Sequence, residues 1–536
     1  MLDVSIYLIA SFFIYSFGYL VITFFNFEKK FIEQHLYLYP SIGLFFFGLL
    51  IVCLNFLFSI KGSFLFIIFL IIFTKVFFIK KANLHIKKNL FYFTIINFFL
   101  TPYLFTLQVG SDGGLYHLNI QNWIQQEKIV FGFSNIHSRY GFASLQEYLS
   151  AVFSMYNYYN GKLFSNLIFL SIFIYFIYEC LMSKNLIYKN LSIFLTIYLI
   201  LNFLGFKSFF ILSPQKYSYV DTSTNIIYLI FLFLSINFIY KKIISREAFL
   251  TLSIFLCFAF FMKIYTLPIV VIYFYYLTLS LKNLEFNRND ILFVIFIFFV
   301  FFLKNIIHTG CLIYPIVNTC LDLISWTSLD GANSNSKWVA AWYRDKSLGL
   351  DSLNNNQWII SWLWKNSIII FFYFLKFFIC ALIIKFLKIG KNRILFNKNN
   401  LFFVLTILLI FSIWFFKFPA IRFGNGYLMS FFVIIFFILY SDYNFNLNNK
   451  YHFIVILFIL FFPFKDLISL KFNNRIIKYP EVNLEKRNSF GFKPQTGVYC
   501  WNNKDCYPYK DAIFIDKFSY KFFYKLNDKK LQKIIK

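Results

Sequence analysis

Asp112 and His117 fall in a stretch reading GSDGGLYHLNIQNW, Gly110 to Trp123, which interrupts long runs of Phe, Ile and Leu. A carboxylate can take a proton from a hydroxyl, and a nearby imidazole can orient the acceptor or assist the acid. Glycines on either side of Ser111 and Asp112 let the backbone turn sharply. The run to Gln126 then reads as a short helix with Leu115, Leu118, Trp123 and Ile124 as its apolar residues. Capping of that helix is the plainer role for Asp112, since Asp is a preferred N-cap. Basic residues in other polar stretches supply what an anionic substrate needs. They are Arg139, Lys216 in KSFFILSPQKYSYVDTST with Asp221 close behind it, Arg344 in WVAAWYRDK and Arg422 in KFPAIRFGNGY. Guanidinium offers phosphate oxygens a planar fork and ammonium a point charge. Any one of these at a membrane edge reads first as an interfacial residue, so their convergence on one side is the informative part.

The elements that must position them are membrane spans. With 536 residues, 60% of them hydrophobic and 14% charged, the chain has more apolar surface than a soluble core needs and reads as an all-α polytopic membrane protein. At about 17 to 25 apolar residues per crossing, some fourteen spans (12–14) are expected. They lie roughly at 2–26, 38–60, 63–79, 89–107, 163–182, 190–206, 225–240, 247–263, 266–281, 290–307, 367–387, 400–416, 427–440 and 451–464. The first lacks a basic start and is long for a signal peptide, so it reads as an anchor. Lys75, Lys263 and Lys304 lie towards span ends.

The formal charge of +28 reflects orientation and not nucleic-acid binding, because Lys and Arg sit in alternate short loops. Examples are Lys29 and Lys30, Lys80 to Lys88, Lys184 and Lys189, Lys241 to Arg246, Lys282 and Arg288, and Lys388 to Lys398. The positive-inside rule puts these in the cytoplasm. The loops at 107–162, 207–224, 308–366 and 417–426 then face outward with Asp112. The organisation read from this is N-terminal helices at 1–88, a core at 89–464 and a small outward tail at 465–536. Cys500 and Cys506 in VYCWNNKDCYPY are close enough for a disulfide, and Cys311 and Cys320 form a second outward pair; either bridge requires an oxidising compartment. Cys53, Cys180, Cys257 and Cys380 lie in apolar spans and read as small hydrophobes. No phosphate loop and no clustered metal-ligand spacing is visible.

An outward acid following an inside-to-outside span, here DGGLYHLNIQNW, resembles the GT-C superfamily of integral-membrane glycosyltransferases. HTGCLIYP, FPAIRFGNGY and CWNNKDCYPY also look like segments of an uncharacterised bacterial branch of such proteins. The resemblance, which covers most of the chain from residue 89, implies a catalytic acid in the first outward loop. It also implies a donor sugar on a polyprenyl phosphate and a site at the outer face of the bacterial cytoplasmic membrane. Two departures stand out: three spans precede the acid-bearing one, and no second acid lies within two residues of Asp112, so the paired-acid metal motif is missing. A divalent cation as cofactor is left open.

Transfer from a lipid phosphate to a glycan or lipid acceptor needs a base, for which Asp112 is the candidate, and groups to hold the phosphate. Arg139, Lys216, Arg344 and Arg422 are candidates for the phosphate, with His117 and Asp221 assisting. The alternatives are a transporter or flippase, or a polymerase, of lipid-linked saccharides. A carrier favours ionisable residues or broken helices near mid-membrane and internal pseudo-symmetry.

Overall fold

The computed structural model describes residues 2–105, 112–154, 161–203, 220–280, 287–386, 398–440, 484–487, 491–494, 512–517 and 519–525. The first helices are α1 (Leu2–Phe24), α2 (Lys29–Glu33), α3 (Leu38–Leu57), α4 (Phe64–Lys81) and α5 (Leu84–Leu100). After the acid-bearing stretch come α6 (Leu118–Gln126), α7 (Phe133–Ile136) and α8 (Leu145–Phe153). The chain continues through α9 (Gly161–Met182), α10 (Leu186–Phe203), α11 (Val220–Lys241), α12 (Arg246–Met262), α13 (Val270–Ser280) and α14 (Arg288–Thr309). Last are α15 (Leu329–Arg344), α16 (Trp358–Phe386), α17 (Lys398–Lys417) and α18 (Ile421–Tyr440).

Among the described residues eight helices are long and apolar enough to cross a bilayer: α1, α3, α9, α11, α14, α16, α17 and α18. This is fewer than the fourteen read from hydropathy. The span expected at 451–464 lies outside the described residues, as do Lys282, Lys388, Lys391 and Arg393. Others fall short for a structural reason. The abutting runs around Tyr265 fold back on each other: Lys263 breaks out of the helix, a 3-10 turn at Ile264–Ile269 carries Pro268, and α13 returns beside α12. Their antiparallel packing is fixed by a 2.7 Å hydrogen bond between the Ser253 and Tyr273 hydroxyls and by Tyr276 donating to Ile243 O at 3.3 Å.

The described residues are helical almost throughout, as expected of an all-α chain, and the one exception is the tail. It contains two antiparallel hairpins, β1 (Leu484–Arg487) with β2 (Gly491–Pro494) and β3 (Ala512–Lys517) with β4 (Tyr520–Lys525). Strand β4 docks on the segment after α6. The Phe131 amide donates to Lys521 O and its carbonyl accepts from the Phe523 amide, both at 2.9 Å. Trp123 packs edge-on against the buried Phe523, whose burial contributes about 2 kcal/mol.

Two poles follow from these contacts. At one, the Asn55 amide at the end of α3 donates to Glu127 O at 3.0 Å, and Lys61 N bonds Gln125 O at 3.0 Å. At the other, Arg246 grips Asp290 through two bonds of 2.6 and 2.8 Å and donates to Phe25 O at 3.1 Å. Helices α1 and α3 cross between them at Gly18 and Gly43. A Cβ on Gly18 would lie 1.7 Å from Tyr39 O, and one on Gly43 2.0 Å from Ile14 O, so only glycine allows this approach.

Candidate active site

Asp112 does not cap the helix that follows it. Its backbone is already helical (φ −64°, ψ −31°), it leads into a π-helical turn at Gly113–His117, and its side chain makes no cap bond. The carboxylate instead accepts from Arg422 at 2.7 Å and from Arg139 at 3.3 Å. Arg139 comes from a 3-10 turn, Ser138–Phe142, where the His137 ring accepts from the Arg139 amide at 3.1 Å. Arg422 comes from the first turn of α18, packed 5.5 Å over the Tyr343 ring. Its Nε also lies 3.6 Å from Asp221, in the first turn of α11. Asn225 ties these two helices together, its amide donating to Arg422 O at 3.3 Å and its carbonyl oxygen accepting from the Gly426 amide at 3.2 Å. Two acids and two arginines from four distant parts of the chain thus form one alternating cluster.

Burial raises the Asp112 carboxyl, but the charge and hydrogen bond of Arg422, together with His117 and Arg139, outweigh it and hold the group below the ordinary carboxylate value. Asp112 is therefore ionised at neutral pH. Burial also pushes the Tyr343 phenol up to about 12, leaving it a neutral donor.

The cluster edges a cavity of about 680 Å³. Asp112, Tyr116, Arg139 and Arg422 line it together with Lys263 and Lys304, while Phe142, Phe260, Phe261, Phe301, Trp338 and Trp342 give it an aromatic wall. Trp338 and Trp342, one turn apart on α15, are each about half exposed. A Cys311–Cys320 disulfide closes the loop that carries Tyr314 and Pro315, both of which line the cavity. Inside that loop, the Tyr314 hydroxyl donates to Ser138 O and accepts from the Asn335 amide, both at 2.8 Å, which ties it to the turn carrying Arg139.

The other expected site residues have different surroundings. His117 lies behind the cavity wall, its Nδ1 2.5 Å from a carboxylate oxygen of buried Glu147, whose other oxygen accepts from the Ser144 amide. Asp221 likewise stands behind Arg422 and does not line the cavity. Arg344 bonds the carbonyls of Ser352 (3.0 Å) and Phe416 (2.7 Å) and stacks 4.9 Å over Trp358, so it joins α15 to the helices that follow. Lys216, Cys500 and Cys506 lie outside the described residues. Lys263 and Lys304 were passed over as span-end residues; the available signal was that an ionisable group inside an apolar run is costly and marks function. Glu147 was missed because its sequence setting is an ordinary capping box, which it does form with Ser144.

Among the described residues no three His, Cys, Asp or Glu side chains converge as metal ligands. The Arg422 guanidinium stands between Asp112 and Asp221, where a divalent cation bridging them would sit. These residues do not fit a metal, and no step below uses one.

A family model described as a domain of unknown function, DUF8201, matches residues 1–429. No curated protein and no solved structure matches the chain.

Proposed function

The chain belongs to the DUF8201 family, a domain of unknown function, and we propose from its own site that it is a membrane glycosyltransferase. It moves a sugar from a polyprenyl-phosphate-linked donor to a glycan or lipid acceptor at the outer face of the bacterial cytoplasmic membrane. The observation that carries this reading is one cavity joining an ionised carboxylate and several cations to an aromatic wall. That combination suits an amphiphile with an anionic head.

The outward placement is supported by the Lys and Arg clusters at the pole away from the site, such as Lys29, Lys30, Lys241 and Lys242. The disulfide beside the cavity also supports it, since such bonds persist in oxidising compartments. In the transfer step, the acceptor hydroxyl oxygen forms a bond to the anomeric carbon and gives its proton to Asp112. The bond from that carbon to the phosphate oxygen breaks, and the phosphate leaves with the electron pair. Arg139 and Arg422 keep Asp112 ionised and aimed, and cations lining the cavity stabilise the charge on the leaving group. Their hold makes Asp112 a weak base, which suits a late proton transfer as the new bond forms.

The test is to incubate membranes with radiolabelled polyprenyl-phosphate sugars and follow loss of label from the lipid. Asp112→Asn should lower turnover about a hundredfold or more at matched protein level. Normal turnover by that variant would remove Asp112 as the base, and no transfer from any such donor would remove the transferase reading. One feature favours a carrier instead: Lys376, fully buried within α16 between the Tyr198 and Tyr373 rings. A flippase would move the labelled lipid across the bilayer with its sugar intact.

A further inference from the structure

Charge compensation separates the cations of the cavity into two kinds. The two arginines are matched by two carboxylates, Asp112 on both and Asp221 on Arg422. Lys263 and Lys304 line the same cavity, yet among the described residues neither has a carboxylate at ion-pair distance. Resting on the reading of the cavity given above, we infer that Lys263 and Lys304 form the subsite that receives the phosphate of the ligand, while the arginines serve Asp112.

The geometry brings the two lysines to one strip of backbone. The Lys304 ammonium, 3% exposed near the end of α14, donates to Ala143 O at 2.6 Å. Lys263 stands at the tip where α12 folds back towards α13, its ammonium 5.8 Å from the Phe142 ring centroid. An ammonium has three donors, so one carbonyl leaves Lys304 with capacity for phosphate oxygens. Glu147, behind this wall, is already bonded to His117 and the Ser144 amide. Glu147 also acts on both lysines through space, and one carboxylate shared between two lysines leaves positive charge that an arriving anion offsets. Phe260, Phe261 and Phe301 line the cavity beside the lysines. They exclude water, which strengthens the attraction, and they suit hydrocarbon next to the charged head. The shared chemistry is a phosphate monoester or diester; the apolar wall assigns it to a lipid in preference to free phosphate.

Binding can be read without any transfer reaction, using full-length protein in lipid nanodiscs titrated with farnesyl phosphate, farnesol and inorganic phosphate. Wild type should bind farnesyl phosphate at least tenfold more tightly than farnesol or inorganic phosphate. Lys263→Gln and Lys304→Met should each weaken farnesyl phosphate at least tenfold and leave farnesol unchanged. Since Lys304 is buried, thermal unfolding checks its variant; Lys263, at a half-buried tip, keeps the test decisive if Lys304→Met does not fold. Unchanged affinity in Lys263→Gln together with loss in Arg139→Gln would overturn the assignment, as would absence of farnesyl phosphate binding to wild type. Inorganic phosphate binding as tightly as farnesyl phosphate would overturn the lipid-borne ligand. Lysine-dependent binding without sugar transfer would sink the transferase reading and sustain the subsite; lysine-independent binding with normal transfer would do the reverse.

Discussion

Asp112 and Arg422 lie 310 positions apart in the chain and 2.7 Å apart in the fold. Their types were legible, because an acid beside glycines and an arginine in a polar break stand out against Phe, Ile and Leu. Their pairing was not legible, since it depends on α11, α18 and the 3-10 turn meeting at one pole. The same limit hid His117, which carries the same chemistry in sequence whether it faces a cavity or a buried glutamate. The lowered Asp112 pKa predicts an acid response. A carboxylate whose folded value is depressed stabilises the fold at pH above the unfolded value of about 3.9, and that contribution is lost as pH falls through the folded value. Thermal unfolding of purified wild type should therefore steepen below about pH 4, and Asp112→Asn should flatten that limb. Identical acid limbs in the two proteins would show that the pairing contributes no stability.

At the scale of elements, apolar runs gave the helices well and their arrangement poorly. Hydropathy sees two abutting runs around Tyr265, with Lys263 at the end of the first, but not that a 3-10 turn takes up Ile264–Ile269 and leaves α13 only Val270–Ser280. Strands β3 and β4 carry a short apolar signal, with Ile513 paired to Tyr524 and Ile515 to Phe522 in the antiparallel register. It was obscured by the lysines around it. The α1–α3 crossing depended on single glycines within runs of larger residues. Gly18→Ala should force these helices apart and cost about 2 kcal/mol or more. Gly62→Ala is the matched control, because its new Cβ would approach no atom closer than the Ser59 hydroxyl at 3.2 Å. Thermal midpoints in one detergent check this, and equal midpoints for the two variants would reject tight packing at Gly18.

For the whole molecule, the two poles give a sidedness test using exposed, described positions. A single cysteine at Lys61, at the pole where α3 meets the end of α6, should react with an impermeant reagent on the outer face, in a background without the outward native cysteines. One at Lys29, whose side chain is 77% exposed, should react only after the membrane is opened. Reaction of both in sealed cells would reject the orientation. The docking of β4 also bears on how the protein is made. Ser519, at the turn before β4, meets Lys128 across 391 positions, so the Phe131 strip is synthesised long before its cover. Until then Trp123 and Phe131 lack the aromatic partners that β4 brings them. The hairpin thus closes that face only once translation has passed β4, so a chain cut short of it keeps Trp123 and Phe131 uncovered.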